Sequence, residues 1–116
     1  MDNKTTELTE RQRACHELAS HDGGYRAAFH ILLSPRFHRD DRVWQHVHLV
    51  APNNGIYFEE MLETGRFSDG ERLLLRVAWS LFNGGVEVAL DDIYCRLDRK
   101  ALELVLEAMR LRVPYA

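Results

Sequence analysis

The stretch that decides the fold runs from Phe67 to Gly85 and reads FSDGERLLLRVAWSLFNGG. Ser68 and Glu71 stand in S-x-x-E spacing. In that arrangement the serine hydroxyl accepts the amide three residues on, and the glutamate returns to the serine's own amide, which starts a helix. Asn83–Gly84–Gly85 supplies a left-handed exit. Between these signals the polar residues are Arg72, Arg76, Ser80 and Asn83, and their spacing draws a single narrow ridge along a helix. Nearly everything else is Leu, Val, Ala, Trp or Phe. A helix wetted along one ridge packs against neighbours on its other sides. The expected fold is therefore all-α: a single-domain bundle of six or seven short helices around a central buried helix at about 69–83. As its hub, the helix should lose about 2–5 kcal/mol on Leu74→Ala or Leu81→Ala.

Upstream, LTERQRACHELASHDGG pairs Thr9 with Gln12 as a helix start, aligns Cys15, Leu18 and Ala19, and meets Gly23–Gly24 as a stop. Asp22 then caps GYRAAFHILL, with Tyr25, Ala28, Phe29 and Leu32 on one stripe and Arg26 and His30 on its polar side. Ser34–Pro35 ends it. DDRVWQHVHLVAP is ambiguous: as a strand it alternates poorly, whereas as a helix it aligns Val43, Trp44, Val47, Val50 and Ala51. Helix is the preferred reading of 41–51. NNGIYFEEMLETG reads as a further helix with Gly65 as its αL terminator and Glu59, Glu60 and Glu63 outward.

Downstream of Gly85, VEVAL reads as a link, DDIYCRL as a brief helix, and DRKALELVLEAMRLRV as a longer one capped by Asp98 and closed by Pro114. Along the last helix Arg99 and Glu103, and Glu107 and Arg110, are spaced for ion pairing. Leu102, Leu106 and Met109 widen its apolar face, which could close a homodimer.

Composition narrows the function classes. The chain has 116 residues, 46% of them hydrophobic and 28% charged, with no repeat and no domain boundary, so 1–116 reads as one domain. Its longest apolar runs fall well short of the ~20 residues that span a bilayer. The opening MDNKTTELTERQR has no apolar signal core, and a cytoplasmic location with reduced, buried thiols at Cys15 and Cys95 is expected. The net charge of −3 does not recommend nucleic acid. Charging all six histidines would move it to +3 (−3 + 6), so low solubility is expected near the sequence pI of 6.0.

The motifs that could carry catalytic chemistry are each incomplete. His46-Val-His48 is the closest histidine pair, but on a helix the two rings diverge by ~200°. His38 and His46 have Arg42 between them, which repels a cation. His21–Asp22 is the dipeptide of metal-dependent phosphohydrolases, yet Asp22 has a ready role as a helix cap. No G-x-S-x-G, P-loop or dinucleotide fingerprint occurs, and neither cysteine sits at a glycine-rich helix start. No metal or cofactor is expected. Residues 88–112 have the beat of a helix-turn-helix, but Glu103 and Glu107 point outward, where phosphate would repel them.

One patch calls for a reason beyond packing: SPRFHRDDR, where Arg36, His38, Arg39 and Arg42 surround Phe37 in a loop. Arginine beside an exposed aromatic suits a protein-interaction site. The competing reading folds Phe37 into the core and pairs the arginines with Asp40, Asp41 or Glu59–Glu63.

From Ser68 to Arg112 the chain resembles a pattern in small uncharacterised bacterial proteins, some carried by phages or mobile elements. The matching positions are Ser68, Gly70, Glu71, Ala78, Leu81, Phe82, Asn83, Gly84, Leu97 and Asp98. The resemblance implies a helical fold and no known activity. The resulting expectation is a small protein-binding or regulatory protein without catalytic activity, acting on another protein, with an accessory of a phage or mobile element acting on a host protein as the setting that the resemblance implies. The alternatives are a DNA-binding regulator through 88–112 and, third, a His/Asp metal-dependent hydrolase.

Overall fold

The computed structural model describes residues 3–113, with side chains from residue 9 onward. Seven helices and one small hairpin appear among them. The deciding stretch forms a helix, Asp69–Asn83 (α5, in chain order), with the Ser68–Glu71 capping box closed in both directions. Gly84 ends it at φ 71°, the one left-handed residue among those described. The remaining helices are α1 (Asn3–Ala19), α2 (Gly23–Leu32), α3 (Asp41–Trp44), α4 (Phe58–Thr64), α6 (Leu90–Arg96) and α7 (Arg99–Arg112).

Leu74 and Leu75 of α5 are fully enclosed, and Leu73, Val77 and Ala78 are nearly so. Its last turn is less covered than the sequence suggests, because Trp79, Leu81 and Phe82 are only partly buried. The most enclosed helix is α2, which buries Gly24, Tyr25, Ala27, Ala28, Phe29, Ile31 and Leu32. It packs against α1, α5 and α7, while α5 also meets α4, α6 and α7. Two helices thus share the centre. Aromatic rings tie the layers together: Tyr25 stacks on Phe29 at 5.3 Å and meets Phe82 edge-on at 4.9 Å, and Phe58 lies parallel to Trp79 at 6.2 Å. Each such side chain, when fully buried, contributes on the order of 1.5–3 kcal/mol.

Several local expectations are corrected. α1 begins at Asn3, so Thr9 and Gln12 lie inside the helix; no Gly or Pro stands ahead of Thr9 to break it. Gly23–Gly24 does not stop α1 but opens α2, where Asp22 Oδ1 accepts the Tyr25 amide at 3.1 Å. A Cβ on Gly24 would strike the Phe82 carbonyl oxygen, and one on Gly23 would sit 2.9 Å from the Arg112 carbonyl oxygen. The pair is there so that the ends of α5 and α7 can approach the start of α2.

The helix expected over 41–51 is one turn long. After α3 the chain makes a short antiparallel hairpin, β1 (Val47–His48) with β2 (Gly55–Ile56), Val47 opposite Ile56 and His48 opposite Gly55. The connection between them, residues 49–54, turns at Ala51–Pro52, and β-branched Val47 and Ile56 suit the pleat. Asn54 therefore belongs to this connection, where its Nδ2 donates to the Tyr25 hydroxyl at 2.8 Å, and α4 starts at Phe58 without a side-chain cap. Gly65 ends α4 in an extended conformation, φ −82° and ψ 140°, and not in the αL form. A side chain at Gly65 would collide with the ring of Phe67. Pro114 lies outside the described residues.

Candidate functional site

The loop from Ser34 to Arg42 is held from both sides. Trp44 Nε1 donates to the Phe37 carbonyl at 2.9 Å, and Arg11 donates to the His38 carbonyl at 3.1 Å. The same Arg11 guanidinium lies 4.5 Å over the Trp44 ring. Drawn in this way, Phe37 is buried with 0% exposure. The exposed aromatic expected at the centre of the arginine patch is thus a core residue, since its carbonyl is claimed by an indole that is itself buried.

Arg42 is likewise occupied. Its Nη2 lies 2.6 Å from Asp40 Oδ2 and 3.2 Å from Glu71 Oε2, its Nη1 donates to the Arg66 carbonyl at 2.6 Å, and its plane covers Phe67 at 4.4 Å. The side-chain hydrogen bond from Arg42 holds the Asp40 carboxyl below the usual aspartate range, against a smaller opposing effect of burial. Glu71 is also lowered, first by the Ser68 amide and also by Arg42. This arginine pins the start of α3 to the start of α5. His38 Nδ1 lies 3.3 Å from the Pro35 carbonyl. Arg36 approaches Asp98 at 3.5 Å, and Arg39 is exposed. Arg36 also lines an open groove of about 530 Å³ beside Pro35, Lys100, Ala101, Leu104 and Glu107. Of the five patch residues, Arg36 and Arg39 are on the surface, His38 is half-covered, and Phe37 and Arg42 hold the fold together.

The histidines are dispersed. His46 sits 3.0 Å from the Thr64 hydroxyl, His48 meets the Tyr57 ring edge-on at 5.0 Å, and Asp22 caps α2 beside His21. His30 Nε2 is shielded from water with Glu107 Oε2 at 3.3 Å, without hydrogen-bond geometry. Glu107 therefore turns to α2, whereas a pairing with Arg110 was expected. Among the described residues, no three His, Cys, Asp or Glu side chains are grouped to hold a metal ion. Cys15 is buried and its thiol is pushed up to about 12, chiefly by burial, with Arg11 opposing. Cys95, expected to be buried, is exposed, because α6 lies wholly on the surface.

That helix was expected, but its exposed apolar face is the feature the sequence reading missed. α6 buries none of its residues, and Leu90 and Tyr94 are 69% and 65% exposed. Ile93 and Leu97 rest against the core. The signal was present: Leu90, Ile93, Tyr94 and the C-cap Leu97 follow i, i+3, i+4, i+7 spacing, yet only Ile93 and Leu97 of them meet the core. Exposed Glu87 and Asp91 border the patch. On α7, Leu106 and Met109 are 49% and 40% exposed, and Val113 just beyond its end is 63% exposed. No described helix is long and apolar enough to cross a membrane. Comparison with family models, with curated proteins and with solved structures gave no match to this chain.

Proposed function

We propose that this protein is a non-catalytic binding module that docks on another protein through α6. The observation that carries this reading is the exposure of Leu90 and Tyr94 on a helix that fully buries none of its residues. A helix of seven residues is too short to be stable on its own propensity, and large apolar side chains held in water favour association. Tyrosine and leucine at helical spacing are the anchors that enter a hydrophobic groove. The acidic border of Glu87 and Asp91 suits a groove rimmed by lysine or arginine, and disfavours duplex DNA as the target of the α6–α7 pair. A non-catalytic role is supported by Cys15, whose raised thiol pKa is the opposite of an activated nucleophile. The cytoplasm is the proposed setting, and a host protein is the target that the resemblance to mobile-element proteins would supply.

The test is a photo-reactive phenylalanine analogue at Tyr94, with the same group at exposed Gln12 on α1 as control. We expect one discrete protein adduct from Tyr94 that Leu90→Asp removes. Equal labelling from Gln12, or no adduct, overturns the reading.

A further inference from the structure

We propose that the outer flank of α7 pairs with the same flank of a second copy of this chain, antiparallel, about a twofold axis near residues 107–108. This goes beyond the docking role of α6, since it concerns another helix and another face. At ~100° per residue, Leu102, Leu106 and Met109 fall within a sector of ~60° on α7, and Val113, the residue that caps its C-terminus, continues the line. Ala101, Val105 and Ala108 take the neighbouring sector that faces the core. Leu102 is half-covered and the other three members of the stripe are substantially exposed. Spacings of four, three and four are those of a coiled-coil seam.

Charge selects the occupant and its direction. Glu103 and Arg110 lie beside the stripe on its solvent side, and neither forms an ion pair among the described residues. When two copies of α7 run antiparallel, Leu102 meets the second copy's Val113 and Leu106 meets its Met109, each contact occurring twice. The same register sets Glu103 beside the second copy's Arg110, again twice. Run parallel, the seam would bring Asp98 towards Glu103, acid against acid. The stripe is thus complementary to itself in one orientation. With four side chains per copy the seam falls short of the roughly 800 Å² per partner of a standard interface, so the dimer is weak, on the order of micromolar or above.

The experiment is sedimentation of the full chain from 1 to 300 µM (about two and a half decades, wide enough for a weak dimer). We expect a molar mass rising from the 13.5 kDa of one chain towards twice that. Glu103→Arg and Arg110→Glu should each weaken the dimer at least about tenfold, because two opposite-charge contacts become like-charge contacts. The combined variant should return to within about threefold of the parent. Leu106→Asp should give a monomer whose circular dichroism and melting match the parent, since the side chain is on the surface. Leu90→Asp with Tyr94→Asp should leave the dimer intact, which separates this seam from the α6 docking face. A monomer at every concentration, a dimer indifferent to the single charge changes, a charge swap without rescue, or loss of the dimer through α6 each overturns the proposal.

Discussion

Gly24 and Phe82 mark the place where α2 and α5 come together backbone to backbone: a Cβ on Gly24 would collide with the Phe82 carbonyl oxygen. That carbonyl belongs to rigid helix and cannot swing aside as a long side chain would. Gly24→Ala should therefore destabilise by about 1–3 kcal/mol despite the gain in helix propensity. Gly70 is the control, because nothing lies within 4 Å of a Cβ placed there. Gly70→Ala should be neutral or stabilising by up to ~1 kcal/mol. Urea unfolding of both variants checks the pair, and a stabilising Gly24→Ala would contradict the close approach.

Leu74 and Leu81 lie on the same helix but in different surroundings. Leu74 is fully buried, whereas Leu81 is partly covered at the less enclosed end of α5. Leu74→Ala should cost about 2–5 kcal/mol, through lost transfer energy plus a cavity. Leu81→Ala removes contacts that water already shares and should cost about 1–2 kcal/mol. Equal losses in chemical denaturation would mean that the end of α5 is as enclosed as its middle.

These two residue pairs also show what the sequence could and could not disclose. The capping box at Ser68–Glu71, the caps Asp22 and Asp98, and Gly84 are local chemistry, and each is found where the sequence places it. The apolar stripes of α2, α5 and α7 follow from the helical period. The role of Gly24 was hidden because a glycine before a helix looks the same whether it ends one element or admits another. Phe37 was misplaced for a similar reason: the Trp44 indole that fixes its carbonyl is seven residues away. Residues 47–56 became a hairpin because Val47 pairs with Ile56 across a turn, a partnership that no periodicity within 41–51 encodes.

The two thiols should differ sharply. Burial pushes Cys15 up to about 12, so almost none of it is thiolate at pH 8, while Cys95 is exposed. A disulfide reagent at pH 8 should titrate one thiol per native chain at once and the second only on unfolding. Cys95→Ser should abolish the fast phase. Two fast equivalents in the native protein would show that Cys15 is open to solvent.

Arg42 sets the acid response. Asp40 and Glu71 are both held below their ordinary 3.8 and 4.5 in the folded chain. A carboxyl lowered in this way contributes stability that is fully present above its ordinary value and lost as pH falls through the lowered one. Arg42→Ala removes the largest cause at Asp40 and a lesser one at Glu71, which keeps the Ser68 amide. The Arg42 side chain is 39% exposed, so after solvent screening the loss at pH 7 should be about 1 kcal/mol. The gap between parent and variant should hold down to about pH 4.5 and then narrow, with the variant unfolding at the higher pH. Parallel stability curves through pH 3 would show that the arginine acts through the Arg66 carbonyl and Phe67, not through the two carboxylates.

The weak anchoring of α6 can be read directly by amide hydrogen exchange. This helix buries no residue, and its N-cap, Ala89, makes no side-chain bond to the first turn. The amides of α2, by contrast, sit under Phe29, Ile31 and Leu32, all at 2% exposure or less. Opening free energies should therefore lie within about 1–2 kcal/mol of zero in α6 and approach the global stability, on the order of 5 kcal/mol or more, in α2. A helix that opens so readily in the free chain is ordered by whatever covers Leu90 and Tyr94, so its protection should rise when a partner is bound. If α6 in the free monomer exchanges as slowly as α2, then the chain itself supplies the support, and the exposed pair no longer needs a second protein to account for it.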